Sequence, residues 1–209
     1  MTVTELTELA RSRIMIKTQE GPAFVLYKGE LRVYGIEQGQ ELGQEAYREI
    51  MEELLPKRAK KRALNLLKNR SYTSAQLKGK LETGGYPEQI AQEAVDYAAS
   101  FGYVDDCRYA ADFIEYNKET KSQMRIFMDL QRKGIPEHVI RESWDKIVGD
   151  GRQELEKEQI VRWINKKHFS PETATLQEKQ KIMSFLYRKG FSIDNIRSAL
   201  SLDINSFCV

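Results

Sequence analysis

The chain has 209 residues, 41% of them hydrophobic, with 33 Lys and Arg against 31 Asp and Glu and a formal net charge of +2. That apolar share can bury a core, yet no run approaches the roughly 18 uninterrupted apolar residues of a membrane span, and Glu5 and Glu8 spoil any secretory signal at the N-terminus. Cys107 and Cys208 are far apart and lack a CxxC spacing, which excludes a disulfide framework and a cysteine-built zinc site and suits a reducing cytosol. These features predict a soluble, cytoplasmic, mostly helical protein.

Charge is spread unevenly. Residues 1–55 hold 6 Lys and Arg against 10 Asp and Glu, whereas residues 56–104 hold 9 against 4. The acidity of the first stretch argues against its gripping DNA.

In chain order, Ala23-Phe24-Val25-Leu26-Tyr27 and Leu31-Arg32-Val33-Tyr34 predict a β-hairpin around Lys28-Gly29-Glu30. Arg13–Lys17 supplies a third strand, with Glu20-Gly21-Pro22 as its turn. From Gly43 onward Tyr47, Ile50, Met51, Leu54 and Leu55 recur at helical spacing, and Pro56 marks a bend before the next helix. That helix opens with Lys57-Arg58-Ala59-Lys60-Lys61-Arg62, five cations in six positions. Alone, the run reads as a solvated helical turn; its functional alternative is a surface for phosphates or an acidic partner.

Beyond Pro56 the chain repeats itself. The segments Leu81–Pro87, Leu130–Pro136 and Leu186–Ser192 align without gaps on Gly85, Gly134 and Gly190. Each shows a helix ending at a C′ glycine, an apolar residue behind it, and Pro or Ser opening the next helix. A preceding helix carries Ala63, Leu66 and Leu67 in the first copy, Ala110, Phe113 and Ile114 in the second, and Ile160, Val161 and Ile164 in the third. The predicted fold is mostly α: three tandem three-helix repeats in an elongated curved array, after a small β element and a helix. The expected bounds are 1–56, 57–104, 105–150 and 151–209.

No catalytic or metal site emerges, and no cofactor is expected. His138 and His168 lack partners at ligand spacing. Asp105-Asp106 suits the start of a helix better than acid/base chemistry, Gly84-Gly85 suits a helix-end turn better than a phosphate loop, and Cys107 reads as a buried structural thiol. More informative are Arg125, Arg132 and Lys133, which align with Lys181, Arg188 and Lys189 along one helical stripe. A helix C-terminus accounts for the later members of each set. It leaves Arg125 and Lys181, expected in first turns, pointing to an intermolecular role. The first repeat breaks the pattern and carries Arg70, Lys78 and Lys80 instead. Tyr72, Tyr109, Tyr116 and Tyr187 lie near this charge as core residues or interface anchors.

Ala63–Thr73 resembles the opening helix of RecX regulatory proteins, and Gly102-Tyr103-Val104-Asp105-Asp106-Cys107-Arg108-Tyr109-Ala110 is similar to a characteristic block of that family. Arg125–Gly134 and Phe185–Phe191 continue the pattern, which spans about residues 57–203. Thr73 stands where the family usually has serine, and Lys189 where an arginine is expected. The resemblance implies a non-enzymatic regulator that binds RecA filaments and restrains strand exchange and ATP hydrolysis. It implies single- or double-stranded DNA as a further partner, no membrane, and a monomer. Contact candidates are Arg70, Lys78, Lys80, Arg108, Arg125, Arg132, Lys133, Lys181, Arg188 and Lys189. The rival readings are a helix-turn-helix-like DNA-binding regulator and a helical-repeat scaffold.

Overall fold

The computed structural model describes residues 1–200; Cys208 and the end of the third repeat lie outside them. The chain divides into two compact units, Met1–Asp105 and a second beginning at Asp106.

The first unit opens with an antiparallel sheet of β1 (Val3–Leu9), β2 (Arg13–Thr18) and β3 (Phe24–Tyr27), in that order. Gly21, at φ +98°, turns β2 back on β3 so that Ile16 faces Phe24 and Ile14 faces Leu26. β1 is an edge strand with little sequence signal. It buries Val3, leaves Thr4, Glu5, Thr7 and Glu8 exposed, and pairs Glu5 with Lys17 at 2.8 Å.

The predicted strand over Leu31–Tyr34 is instead a helix, α1 (Lys28–Val33). In a strand Leu31 and Val33 would share a face. In the helix Leu31 and Tyr34 turn together onto the core while Val33 stays 78% exposed. The Glu30 carboxylate accepts the Tyr27 N–H at 2.8 Å, and the Gly35 turn at φ +60° closes the other end.

Helical bonding also continues through Pro56. α2 (Gln44–Glu49) runs through a π turn, Ile50–Leu54, into α3 (Leu55–Leu67). The Leu55 N–H reaches five residues back to the Ile50 carbonyl. This wider turn makes room for a proline ring that would collide with a carbonyl four residues behind it.

From α3 onward helices come in threes. α3 is followed by α4 (Ser74–Thr83) and α5 (Glu88–Ser100), then α6 (Asp106–Asn117), α7 (Gln123–Arg132) and α8 (Glu137–Ile147). α9 (Arg152–Lys166), α10 (Leu176–Arg188) and α11 (Ile193–Ala199) complete the described chain. The middle helix of each triplet ends in the same double hydrogen bond. Gly85, Gly134 and Gly190 donate to Glu82, Gln131 and Tyr187, each at 2.8 Å, while Tyr86, Ile135 and Phe191 reach back to Leu81, Leu130 and Leu186. All three glycines have φ between +82° and +89°, where an L side chain is strained. The aligned glycine segments are therefore one structural device used three times.

Sheet and α3–α5 share a single core that runs from Val3, Ile16 and Phe24 to Leu77, Leu81 and Val104. A two-faced helical triplet and a small sheet thus complete each other's interior. Sheet and triplet approach closely at Gly85, whose carbonyl accepts the Val25 N–H at 3.1 Å and where a Cβ would overlap the Val25 side chain.

The second unit has two cores. One centres on Ile114, Ile126, Leu130 and Ile140, the other on Ile160, Leu186 and Ile196. A polar joint links them. Buried Ser122, the N-cap of α7, donates its Oγ proton to the Lys189 carbonyl at 2.6 Å. Gln159, 4% exposed, donates to the Lys118 carbonyl and to the Lys121 carbonyl at 3.0 Å. Arg162 pairs with Glu119 at 2.8 Å. The loop between α6 and α7 is thereby fixed by α9 and by the end of α10.

Candidate functional site

Along that joint runs a groove of about 390 Å³, lined by Lys121, Arg125, Arg188 and Lys189 with Trp163 and Phe191. The repeat geometry builds it. Ser122 places the start of α7, and with it Arg125, against the C-terminal end of α10, where Arg188 and Lys189 lie. Asp129 answers two of these four cations, 3.0 Å from Lys121 Nζ and 3.4 Å from Arg125 Nε. Burial alone would raise the Asp129 carboxyl. The Lys121 hydrogen bond and the charges of Lys121, Arg125 and Arg132 outweigh it and hold the group below its ordinary value. Arg188 and Lys189 form no ion pair among the described residues.

Cations in this unit also lie over aromatic rings. Lys189 Nζ is 4.8 Å from the centre of Trp163 and 5.6 Å from that of Phe185. Lys133, its counterpart one repeat earlier, is 5.5 Å from both Tyr109 and Phe113. Phe113 and Trp163 occupy equivalent places, each one residue before the buried isoleucine of its helix, Ile114 or Ile164. Lys166 and Lys167 approach the Trp163–Phe185 pair at 5.2 and 4.9 Å. Each such contact contributes only about 0.5–1 kcal/mol at an exposed site. Their larger effect is to hold several lysines close together where solvent, or an anion, can reach them.

Of the sequence candidates, the structure brings Arg125, Arg188 and Lys189 to one groove. Arg132 and Lys133 lie at the opposite end of α7. Lys181 is exposed in the second turn of α10, because Thr175 starts that helix a turn earlier than the repeat register implies. The argument from a cation in a first turn therefore fails for Lys181, and for Arg125 it is answered within the chain by Asp129. Arg70 lies over Tyr72 at 4.3 Å. Lys78 is held by Glu88 at 2.8 Å and Glu82 at 3.8 Å, the Glu88 hydrogen bond chiefly raising its pKa. Lys80 lines a different groove, within the first unit, and Arg108 lies exposed in the first turn of α6. Tyr72 is buried, Tyr109 half-buried, and Tyr116 and Tyr187 are 87% and 59% exposed.

Lys121, Lys166, Lys167 and Trp163 escaped the sequence reading. Their signal was present in the place of Trp163 in the repeat, with Lys166 and Lys167 one turn beyond it. Cys107, expected to be buried, is exposed on α6. His138 is exposed early in α8, and His168 is the left-handed residue, at φ +51°, that terminates α9. Among the described residues no group of three His, Cys, Asp or Glu is placed to hold a metal, and no helix is long and apolar enough to cross a membrane.

Helical triplets in tandem, each closed by the same glycine turn, with cations of successive triplets meeting at their joint, define a three-helix-repeat protein. Residues 59–97 match the first three-helix domain of RecX, and residues 154–200 match the third. The chain is 34% identical over 169 residues to the regulatory protein RecX of Caldanaerobacter subterraneus subsp. tengcongensis, covering 80% of this chain and 82% of that one. To the regulatory protein RecX of Trichlorobacter lovleyi it is 31% identical, covering 65% and 88%. A crystal structure of a regulatory protein RecX superposes with a TM-score of 0.61 at 21% identity, covering 96% of this chain and 98% of that chain. The chain belongs to the RecX family of regulatory proteins.

Proposed function

We propose that this chain is a non-enzymatic, cytoplasmic regulator of the RecA recombinase. As a monomer it binds RecA filaments on DNA and restrains strand exchange and ATP hydrolysis, by blocking filament growth or promoting disassembly. The observation that supports this reading is the joint groove. Arg125 comes from one repeat and Arg188 and Lys189 from the next; Asp129 pairs with Arg125, and Arg188 and Lys189 form no ion pair among the described residues. Such a site suits a partner with a regular anionic surface, which a filament on DNA supplies at every subunit. A helix-turn-helix reading fares worse. The helices in the position of recognition helices, α5 and α8, open with Glu88 and Glu137, which repel phosphates.

The test is the single-stranded-DNA-dependent ATPase of RecA from the same source, with this protein titrated below one molecule per RecA monomer. Inhibition at substoichiometric ratio, lost on heat denaturation, is expected. An unchanged ATPase at equimolar protein would overturn the proposal and leave the scaffold reading.

A further inference from the structure

We propose that the groove between the N-terminal sheet and the first helical triplet binds the phosphodiester backbone of single-stranded nucleic acid. This site lies in the first unit and needs no RecA. It has a volume of about 490 Å³ and gathers Arg11 from the β1–β2 turn, Arg13 from the start of β2, Arg58 and Arg62 from α3, and Lys80 from α4. No carboxylate lines it.

Acidity of residues 1–55 suggests the opposite, but none of its acids lines the groove and several are paired elsewhere. Glu5 pairs with Lys17, Glu41 with the N-terminal amine, Glu52 with Arg48, and Glu53 with Lys57. Among the described residues only Glu30 pairs with a groove cation, Arg58, which also lies 4.9 Å over the Tyr27 ring. That leaves Arg11, Arg13, Arg62 and Lys80 without an ion pair among the described residues.

Backbone geometry supports a built site. Arg11 and Ser12 both adopt left-handed conformations, at φ 64° and 57°, in a turn that Asn or Gly would make with less strain. The turn is fastened, with the Ser12 carbonyl accepting the Lys28 N–H at 2.9 Å. An arginine is thus held in a costly conformation at the groove's rim. Arg13, Arg58 and Arg62 line the groove together with Tyr86, whose hydroxyl burial raises above its ordinary pKa against the charges of these arginines.

The class of ligand follows from the charge and shape. Carbonyls at the C-terminal end of α4 oppose an anion by about 0.3–1 kcal/mol, a weak term against several unpaired cations. Those cations come from the β1–β2 hairpin, α3 and α4, and so offer a chain of monoanions several separate contacts. Tyr27, 46% exposed at the edge, offers a ring on which a base can stack, and stacking of this kind is the signature of single-strand binding.

The experiment uses the full chain without RecA, with fluorescence anisotropy of a labelled twenty-nucleotide oligothymidylate over a range of NaCl concentrations. The comparison is a variant with Arg11→Gln, Arg62→Gln and Lys80→Gln, three exposed side chains that make no hydrogen bond or ion pair among the described residues. Binding should weaken at least tenfold at low salt, and the slope of log affinity on log salt should fall by about 2, the value for three lost phosphate contacts. An unchanged affinity and slope in the folded variant overturns the proposal, as does displacement of the strand by polyglutamate as readily as by unlabelled oligothymidylate. Photo-crosslinking of a bromouracil-substituted strand to the unaltered protein gives an independent answer: adducts at Tyr27 or Tyr86 are expected, and adducts confined to residues beyond Asp105 overturn it.

Discussion

Ser122 and Lys189, 67 residues apart in sequence, are joined by a 2.6 Å hydrogen bond from the serine hydroxyl to the lysine carbonyl. The same oxygen accepts the Arg125 N–H at 3.3 Å, so one buried hydroxyl caps α7 and satisfies a carbonyl at the end of α10. Ser122→Ala removes both bonds at once. Loss of an N-cap costs about 1 kcal/mol, and a carbonyl left unpaired in a buried joint costs about 1–3 kcal/mol. The expected result is a destabilisation of about 2–4 kcal/mol in urea unfolding. Gly190→Ala should act in the same direction, because a Cβ there would lie 2.7 Å from Ser122 Oγ at a backbone φ of +88°. A loss below 0.5 kcal/mol for Ser122→Ala would show that the joint does not depend on this contact.

Asp129 links stability to pH and to binding. Its carboxyl titrates lower in the folded chain than in the unfolded one. Its contribution is therefore complete above the unfolded chain's carboxylate value and disappears as pH falls through the folded value. Asp129→Asn should lower stability at pH 7 by about 1 kcal/mol, the upper range for a partly exposed pair, and the two proteins should converge in acid. The substitution also removes the only carboxylate paired with Lys121 and Arg125 among the described residues, so the variant should bind an anionic partner more tightly at low salt. Denaturant melts at pH 7 and below pH 3 read the first effect, and filament binding at two salt concentrations reads the second. A stability difference that persists unchanged in acid would show that the side chain acts through packing and not charge.

Charge reversal at the joint tests which cations meet the partner. Arg125→Glu with Arg188→Glu should abolish inhibition of the RecA ATPase while leaving helicity unchanged and lowering stability by only about 1 kcal/mol, because both side chains are exposed and the one ion pair lost is that of Arg125 with Asp129. Arg132→Glu with Lys181→Glu changes net charge equally, but at sites outside the groove, and should cost less than a few-fold. Equal losses in the two double variants would mean that overall charge, and not the groove, governs association.

The repeats were legible because each helix end is a local device. Leu130 and Gly134, or Leu186 and Gly190, report the same turn wherever they occur, and the cores follow from helical spacing. The region before Pro56 was less legible because its structure depends on distant partners. Leu31–Tyr34 has strand-like composition, yet Glu30 caps the chain at Tyr27, and the α3 residue Arg58 holds that carboxylate. β1 is mostly Thr, Glu and Leu and reads as a strand only once β2 is beside it. The stripe of repeated cations was visible, but not its division. Register between helices, set by Thr175 starting α10 early, decides that Arg125 meets Arg188 while Lys181 does not. Arg11 and Arg13 belong to an acidic stretch, and only the folded turn reveals what they join.

Gly85 and Gly102 separate two costs that sequence cannot distinguish. Both occupy the C′ position of a helix, at φ +89° and +70°. Around Gly102 a Cβ would meet nothing within 4 Å, so Gly102→Ala carries only the strain of a left-handed alanine, about 1–2 kcal/mol. At Gly85 the same methyl collides with Val25, whose N–H is bonded to the Gly85 carbonyl, so the sheet must withdraw from α4. Val25 and its neighbours Phe24 and Leu26 are buried, and their core is the one that α3–α5 also share. Gly85→Ala should therefore cost about 3–5 kcal/mol, in the range where single substitutions break a buried contact, and should raise amide exchange in β3 ahead of α6–α11. Val25→Ala in the same background should recover part of the loss, because it removes the methyl groups that the new Cβ strikes. If Gly85→Ala and Gly102→Ala proved equal in denaturant melts, the close approach of sheet and helix would not be what requires glycine at residue 85.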